Sequence, residues 1–347
     1  MVVRWTGIIE AFIISLSVSY IITPMVRKAA IKADFLDHPK DNKVHAHPTA
    51  LLGGVAIYIA FISGILFTLK VTTDPRLVSM LAGATLLLVV GLIDDRMGMM
   101  PEMKLLAQVL AAMLVVKSGV RIDFIHNYYL NTVFTYLWIV GITNSFNLLD
   151  NMNGLSAGIA VIAAVFFGTV VWMTGQMEVA LVSFAVAGSS LGFLRHNFPR
   201  ASIFMGDSGS MIIGFLLAST AVMGSWCTHF LTTSLAMPVL ILAYPIFDTT
   251  LVTVMRLVEG RSVFQGGKDH SSHRLALLGL KKTKAVLVIY LICTALGSSA
   301  LLVRHLSLRA SIIFIICVVI AMAGLGARLA MVNTGRFGRA RDKKNAG

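Results

Sequence analysis

The chain has 347 residues, of which 57% are hydrophobic and only 13% charged, and its mean hydropathy is +0.83. This composition excludes a water-soluble globule of this size and points to an integral membrane protein. The formal net charge of +13 needs no nucleic acid to explain it, because a basic membrane face beside anionic head groups accounts for such a charge.

Apolar stretches long enough to cross a bilayer, or nearly so, recur at residues 7–24, 50–69, 77–93, 104–119, 128–142, 156–173, 179–194, 209–226, 229–247, 284–303 and 310–331. They predict an all-α polytopic membrane protein of about eleven transmembrane helices, the fifth and seventh short. No A-x-A-like cleavage site follows the first stretch, which reads as a signal anchor. Residues 1–331 are expected to form a single membrane domain and 332–347 a basic cytoplasmic tail. Cys227, Cys293 and Cys317 lie in or beside apolar spans without metal-ligand spacing, so they read as buried, inert thiols.

Charge orients the bundle. With the N-terminus outside, the odd-numbered connections and the C-terminus are cytoplasmic and hold 21 of the 29 Lys and Arg residues. The positive-inside rule then gives N-out and C-in. Twelve of the 16 acids fall on the same side, which that rule does not require.

The unusual polar segments are all cytoplasmic on this topology: "DHPKDNKVHAHPTALLGG" (37–54), "GLIDDRMGMMPEMK" (91–104), "NSFNLLDNMNGLSAG" (144–158), "RHNFPRASIFMGDSGS" (195–210), "PIFDTT" (245–250) and "GRSVFQGGKDHSSHRL" (260–275). One site assembled from several loops is the economical inference. Each segment also has a plainer reading. Asp94 and Asp95 could simply solvate a helix end, and "NLLDNMNGL" could be a polar turn with Asp150 or Asn153 at a cap.

In "FMGDSGS", Gly206 and Gly209 allow close backbone approach. Asp207, Ser208 and Ser210 stand where the next helix begins, a place suited to an anion or a bridging metal. In "KDHSSHRL", a local helix would set His270, His273 and Arg274 on one face. Two histidines at that spacing could bind a transition metal, but Lys268 and Arg274 beside them favour a phosphate or diphosphate. Gathered carboxylates need a cation, and their hard oxygens suit Mg²⁺ or Mn²⁺ shared with substrate phosphates. Phosphoryl transfer at a membrane surface is therefore the leading class.

Taken in order, "KVHAHPTALLGG", "GLIDDR", "NSFNLLDNMNGLSAG", "NFPRASIFMGDSGS", "PIFDTT" and "GGKDHSSHRL" resemble the motifs of the polyprenyl-phosphate N-acetylhexosamine-1-phosphate transferases, glycosyltransferase family 4. Because "HSSHRL" replaces the triple-histidine motif of the phospho-MurNAc-pentapeptide translocases, the likeness is to the branch that transfers GlcNAc-1-phosphate or a related HexNAc-1-phosphate. The resemblance implies a UDP-N-acetylhexosamine donor, undecaprenyl phosphate as acceptor, release of UMP, Mg²⁺ as cofactor, and a bacterial plasma membrane with the site facing the cytoplasm. It leaves room for a homodimer.

It also implies roles for single residues. Asp207 corresponds to the main metal ligand, and Asp94 and Asp95 to the paired catalytic acids that share the metal. Asn147, Asp150 and Asn197 match positions lining the nucleotide and diphosphate pocket, and Asn153 the position that reads uracil. Lys43 and His45 match basic residues of the first cytoplasmic loop, while His270, His273 and Arg274 would grip the donor phosphates. Two departures stand out: Asn153 replaces the Asp of many relatives, and Ser272 replaces the first of two adjacent histidines. The rival class is a multi-pass transporter, which would place its charges near the midplane. Here the middles of the spans lack charge.

Overall fold

The computed structural model describes residues 5–37, 48–69, 74–123, 127–226, 231–263 and 267–332. The helices, in order, are α1 (Trp5–Lys32), α2 (Gly53–Leu69), α3 (Pro75–Met97), α4 (Pro101–Lys117), α5 (Tyr128–Leu149), α6 (Leu155–Met173), α7 (Met177–Asn197), α8 (Gly206–Met223), α9 (Leu231–Ile241), α10 (Ala243–Val258), α11 (Ser271–Leu277), α12 (Lys282–Val303) and α13 (Leu308–Ala330). A short antiparallel ribbon, β1 (Leu36–Asp37) with β2 (Thr49–Ala50), joins α1 to α2.

Helix α8 is the axis of the bundle. Its residues from Ser208 to Ala221 are all buried, and it packs against α2, α3, α5, α6 and α7. Helices α1 and α2 wrap α7, while α12 closes the far side against α6 and α9.

The outer surface is apolar: Phe67, Leu137, Leu291, Ile313 and Ile320 are all exposed. Each large apolar side chain left in water forgoes about 1.5–3 kcal/mol, so this surface suits lipid. Inside, the hydroxyls of Thr23, Thr143 and Thr220 donate to the carbonyls four residues back at 2.6–2.7 Å. A bilayer offers these groups no water, and the helix backbone takes its place. The protein is thus an all-α, polytopic membrane protein.

Among the described residues a helical segment lies within each of the eleven apolar stretches, with one revision. By length and composition eight of the described helices suffice to cross a bilayer, and α2 is a shorter apolar helix. The ninth stretch is not one helix but two, because Leu242 leaves helical geometry between α9 and α10. Pro245 then lies in the first turn of α10, where a missing N–H costs little. Helix α10 runs on to Val258 as an amphipathic helix whose buried face carries Tyr244, Asp248, Leu251, Val252 and Arg256.

The same end of the bundle gathers the polar motifs. Ala50 pairs with Ile203, the Phe204 N–H donates to Ala50 O at 2.7 Å, and Gly53 and Gly54 donate to the carbonyls of Phe204 and Met205 at 3.0 and 2.9 Å. The start of α2 therefore fixes the backbone that leads into α8.

Candidate active site

A cavity of about 830 Å³ opens at this end, a size suited to a small-molecule ligand. It is walled by the end of α3, the α3–α4 and α5–α6 turns, the approach to α8, residues 268 and 273, and the start of α12.

Asp95 sits in the last turn of α3 and faces the first turn of α8. Its carboxylate accepts the backbone N–H groups of Asp207 at 2.7 Å and Ser208 at 3.2 Å, and the Ser208 hydroxyl at 2.8 Å. Helix α8 has no side-chain cap of its own, so Asp95 supplies one from another helix. Two glycines make this approach possible. A Cβ on Gly91 would strike the Ser208 backbone, and Gly206 has φ +73° with Asp95 directly over it.

With Asp95 committed to α8, Asp94 and Asp207 form the pair that meets a cation. Lys104 Nζ lies 2.7 Å from Asp94 Oδ2 and 2.6 Å from Asp207 Oδ2. Asp94 is further held by the Met99 N–H at 2.6 Å. Two carboxylate oxygens from helices far apart in sequence thus converge on one positive charge. Among the described residues no group of three or more His, Cys, Asp or Glu forms a ready metal cage. A pair of carboxylates open to a cavity nonetheless fits Mg²⁺, which commonly takes one or two protein carboxylates and completes its shell with water and substrate phosphates.

Asp150 caps the end of α5 and lines the cavity beside these acids. Burial, reinforced by the charges of Asp207 and Asp95, pushes its carboxyl up to about 8.

Three basic residues, Lys268, His273 and Lys282, line the same cavity. Burial, together with nearby His270, Lys268 and Lys282, lowers His273 to about 4. A cavity that holds these carboxylates together with the ammonium groups of Lys268 and Lys282, and a His273 kept neutral beside them, suits a metal-bound diphosphate.

The expected site residues divide. Asp94, Asp95, Asp207, Asp150, Asn153, Asn197 and His273 line the cavity. Asn197 shapes it through its amide, which accepts the Gly154 N–H at 2.7 Å and donates to Ile203 O at 2.8 Å. Asn153 is exposed, its Nδ2 3.5 Å from Pro199 O. Asn147 stands behind the wall, donating to Ser210 Oγ at 3.1 Å. Lys43 and His45 lie outside the described residues.

The shared face expected of His270, His273 and Arg274 does not form. His270 precedes α11 in extended geometry, is buried, and pairs with Asp248 at 2.8 Å. Arg274 turns the other way and is fully buried. Its guanidinium donates to Asp269 O at 2.7 Å and to Leu329 O at 3.0 Å, at the end of α13. Free carbonyls at a helix C-terminus attract a cation, so Arg274 docks the last helix.

Ser272, where a histidine was expected, donates its hydroxyl to Asn151 Oδ1 at 2.7 Å. It thereby ties α11 to the α5–α6 turn. Sequence reasoning missed Lys104 and Lys282, counted there only as cytoplasmic charge. The one signal for Lys104 was its place in the segment that carries the paired acids.

Residues 77–225 match the model of glycosyl transferase family 4. The chain is 34% identical to the probable undecaprenyl-phosphate N-acetylglucosaminyl 1-phosphate transferase of Bacillus subtilis, over 95% of this chain and 94% of that protein. The chain belongs to glycosyl transferase family 4. Within the family it is also 32% identical to the decaprenyl-phosphate N-acetylglucosaminephosphotransferase of Mycolicibacterium smegmatis, over 79% of this chain and 76% of that protein. The undecaprenyl-phosphate alpha-N-acetylglucosaminyl 1-phosphate transferase of Escherichia coli O157:H7 is 27% identical over 80% and 79%.

Proposed function

We propose that the protein transfers GlcNAc-1-phosphate from UDP-GlcNAc to undecaprenyl phosphate at the cytoplasmic face of the plasma membrane and releases UMP. The observation that carries this reading is the convergence of Asp94 and Asp207 on one cation position, in a cavity that Lys268, His273 and Lys282 also line. The names of the relatives above support the sugar and the prenyl phosphate, and the excess of basic residues on one side supports the orientation.

In this reaction a phosphate oxygen of the acceptor attacks the sugar-bearing phosphorus of the donor. The bond from that phosphorus to the bridging oxygen breaks, and UMP leaves with that oxygen. A phosphate monoester is already a capable nucleophile near neutral pH, its second pKa being about 6, so positioning and charge neutralisation outweigh proton removal.

Asp94 and Asp207 would hold Mg²⁺, or Mn²⁺ in its place, and that metal would supply charge neutralisation to the donor diphosphate. Lys104 holds the acid pair together, and with a divalent cation held there its ammonium would be available to a phosphate. Lys268, His273 and Lys282 bind and orient the departing phosphate. Asn153, where many relatives have Asp, can still accept the uracil N3–H and so remains compatible with a UDP-linked donor.

The test is UMP release by purified protein in detergent, with each substrate withheld in turn. Release that needs both UDP-GlcNAc and undecaprenyl phosphate supports the reading, and a panel of UDP-sugars ranks the donors. Release that continues without the lipid contradicts it.

A further inference from the structure

His273 stands on α11, a helix of only seven residues. Helices that short do not hold themselves, because nucleation is costly and few bonds repay it. The bearing of His273 in the cavity is therefore set by whatever grips the start of α11. Position 270 gives no side-chain cap there. The grip comes from Asp248 on α10. Its Oδ1 accepts the Ser271 N–H at 2.7 Å and the Ser271 hydroxyl, and its Oδ2 meets His270 Nδ1 at 2.8 Å. Tyr244 OH and Ser271 Oγ complete the group at 2.7 Å.

Asp248, His270 and Ser271 are each less than 5% exposed, and none of them lines the cavity. A carboxylate only accepts, so His270 Nδ1 carries the hydrogen. The described bonds of this buried carboxylate thus go to the two consecutive residues that lead into His273.

We propose that Asp248 is a positioning residue of the transferase: it caps α11 from α10, locks the His270 ring, and so fixes His273 against the donor phosphates. The proposal rests on the function proposed above, and specifically on His273 meeting the donor. Asp95 on α3 does the same for α8 and Asp207. Asp207 and His273 then each owe their bearing in the cavity to a carboxylate borrowed from a neighbouring helix.

The test is a double-mutant cycle on the full chain in detergent, with Asp248→Asn, His273→Ala and the double variant. KM for UDP-GlcNAc and kcat are read at saturating acceptor, and each variant is checked for a single monodisperse peak. Each single change is expected to raise the donor KM about fivefold to tenfold, and the double variant to match His273→Ala within about twofold. Ser271→Ala, which removes only a hydroxyl from the group, replaces Asp248→Asn in the cycle if the latter fails to fold. Multiplicative effects in the double variant overturn the proposal, since Asp248 then acts without His273. An unchanged donor KM in His273→Ala overturns it too, while wild-type turnover persists. Failure of the transferase reading looks different, because the wild type itself then makes no UMP.

Discussion

Asp95, at the end of α3, accepts the backbone N–H of Asp207 at 2.7 Å, so the second acid of the pair holds in place the helix that presents the third. Asp95→Ala removes a cap and leaves two N–H groups of a buried helix start without their acceptor. It should lower stability by about 1–3 kcal/mol and weaken turnover by letting Asp207 drift. Asp207→Asn should keep the unfolding temperature and abolish turnover. Thermal unfolding in detergent beside UMP release separates the two, and equal loss of stability in both would contradict this division.

Lys104 offers the next prediction. With Lys104→Ala, Asp94 and Asp207 face each other without their shared ammonium, and a divalent cation meets no competitor there. Mg²⁺ should bind more tightly to this variant by calorimetry, while turnover falls by about 10²–10³, as when one preorganised charge is removed from a transition state. Weaker Mg²⁺ binding in Lys104→Ala would place the metal elsewhere.

The pH dependence follows from Asp150. Its carboxyl is raised from 3.8 to about 8 in the fold, so folding takes up a proton between those values. Stability of the metal-free protein should therefore fall as pH rises from about 4 to about 8. Asp150→Asn should flatten that part of the profile, and so should Mg²⁺, whose charge opposes the repulsion from Asp207 and Asp95. Unfolding temperatures taken with EDTA across this range check the slope.

Arg274 separates two roles that sequence alone merged. Its guanidinium is buried against the carbonyls at the end of α13, so Arg274→Met should destabilise the protein by about 1–3 kcal/mol, the usual cost of leaving buried acceptors without their donor. A variant as stable as the wild type, with only the donor KM raised, would return Arg274 to the phosphate site.

Much of this was legible in the chain because it is written locally. Apolar runs gave the helices, and "GLIDDR" and "FMGD" gave the acids, since each motif needs only its own neighbours to be seen. What stayed hidden was pairing over distance. Lys104 meets Asp207 across 103 positions, and no local pattern reports that. The histidine loop misled for a related reason. Helical spacing placed His270, His273 and Arg274 on one face, but α11 begins only at Ser271, and buried partners at Asp248 and Leu329 pulled the outer two away. The break at Leu242 was likewise invisible in a continuous apolar run.

The most direct measurement follows the phosphorus itself. UDP-GlcNAc labelled with ³²P on the sugar-bearing phosphate is incubated with purified protein, undecaprenyl phosphate and Mg²⁺, with and without EDTA, and the lipid is extracted. The account predicts label in the lipid, unlabelled UMP in the water phase, and neither product with EDTA or with Asp207→Asn. Label that remains on the nucleotide while the sugar reaches the lipid would mean that the bond to the sugar, and not the diphosphate, is broken, and would contradict the account.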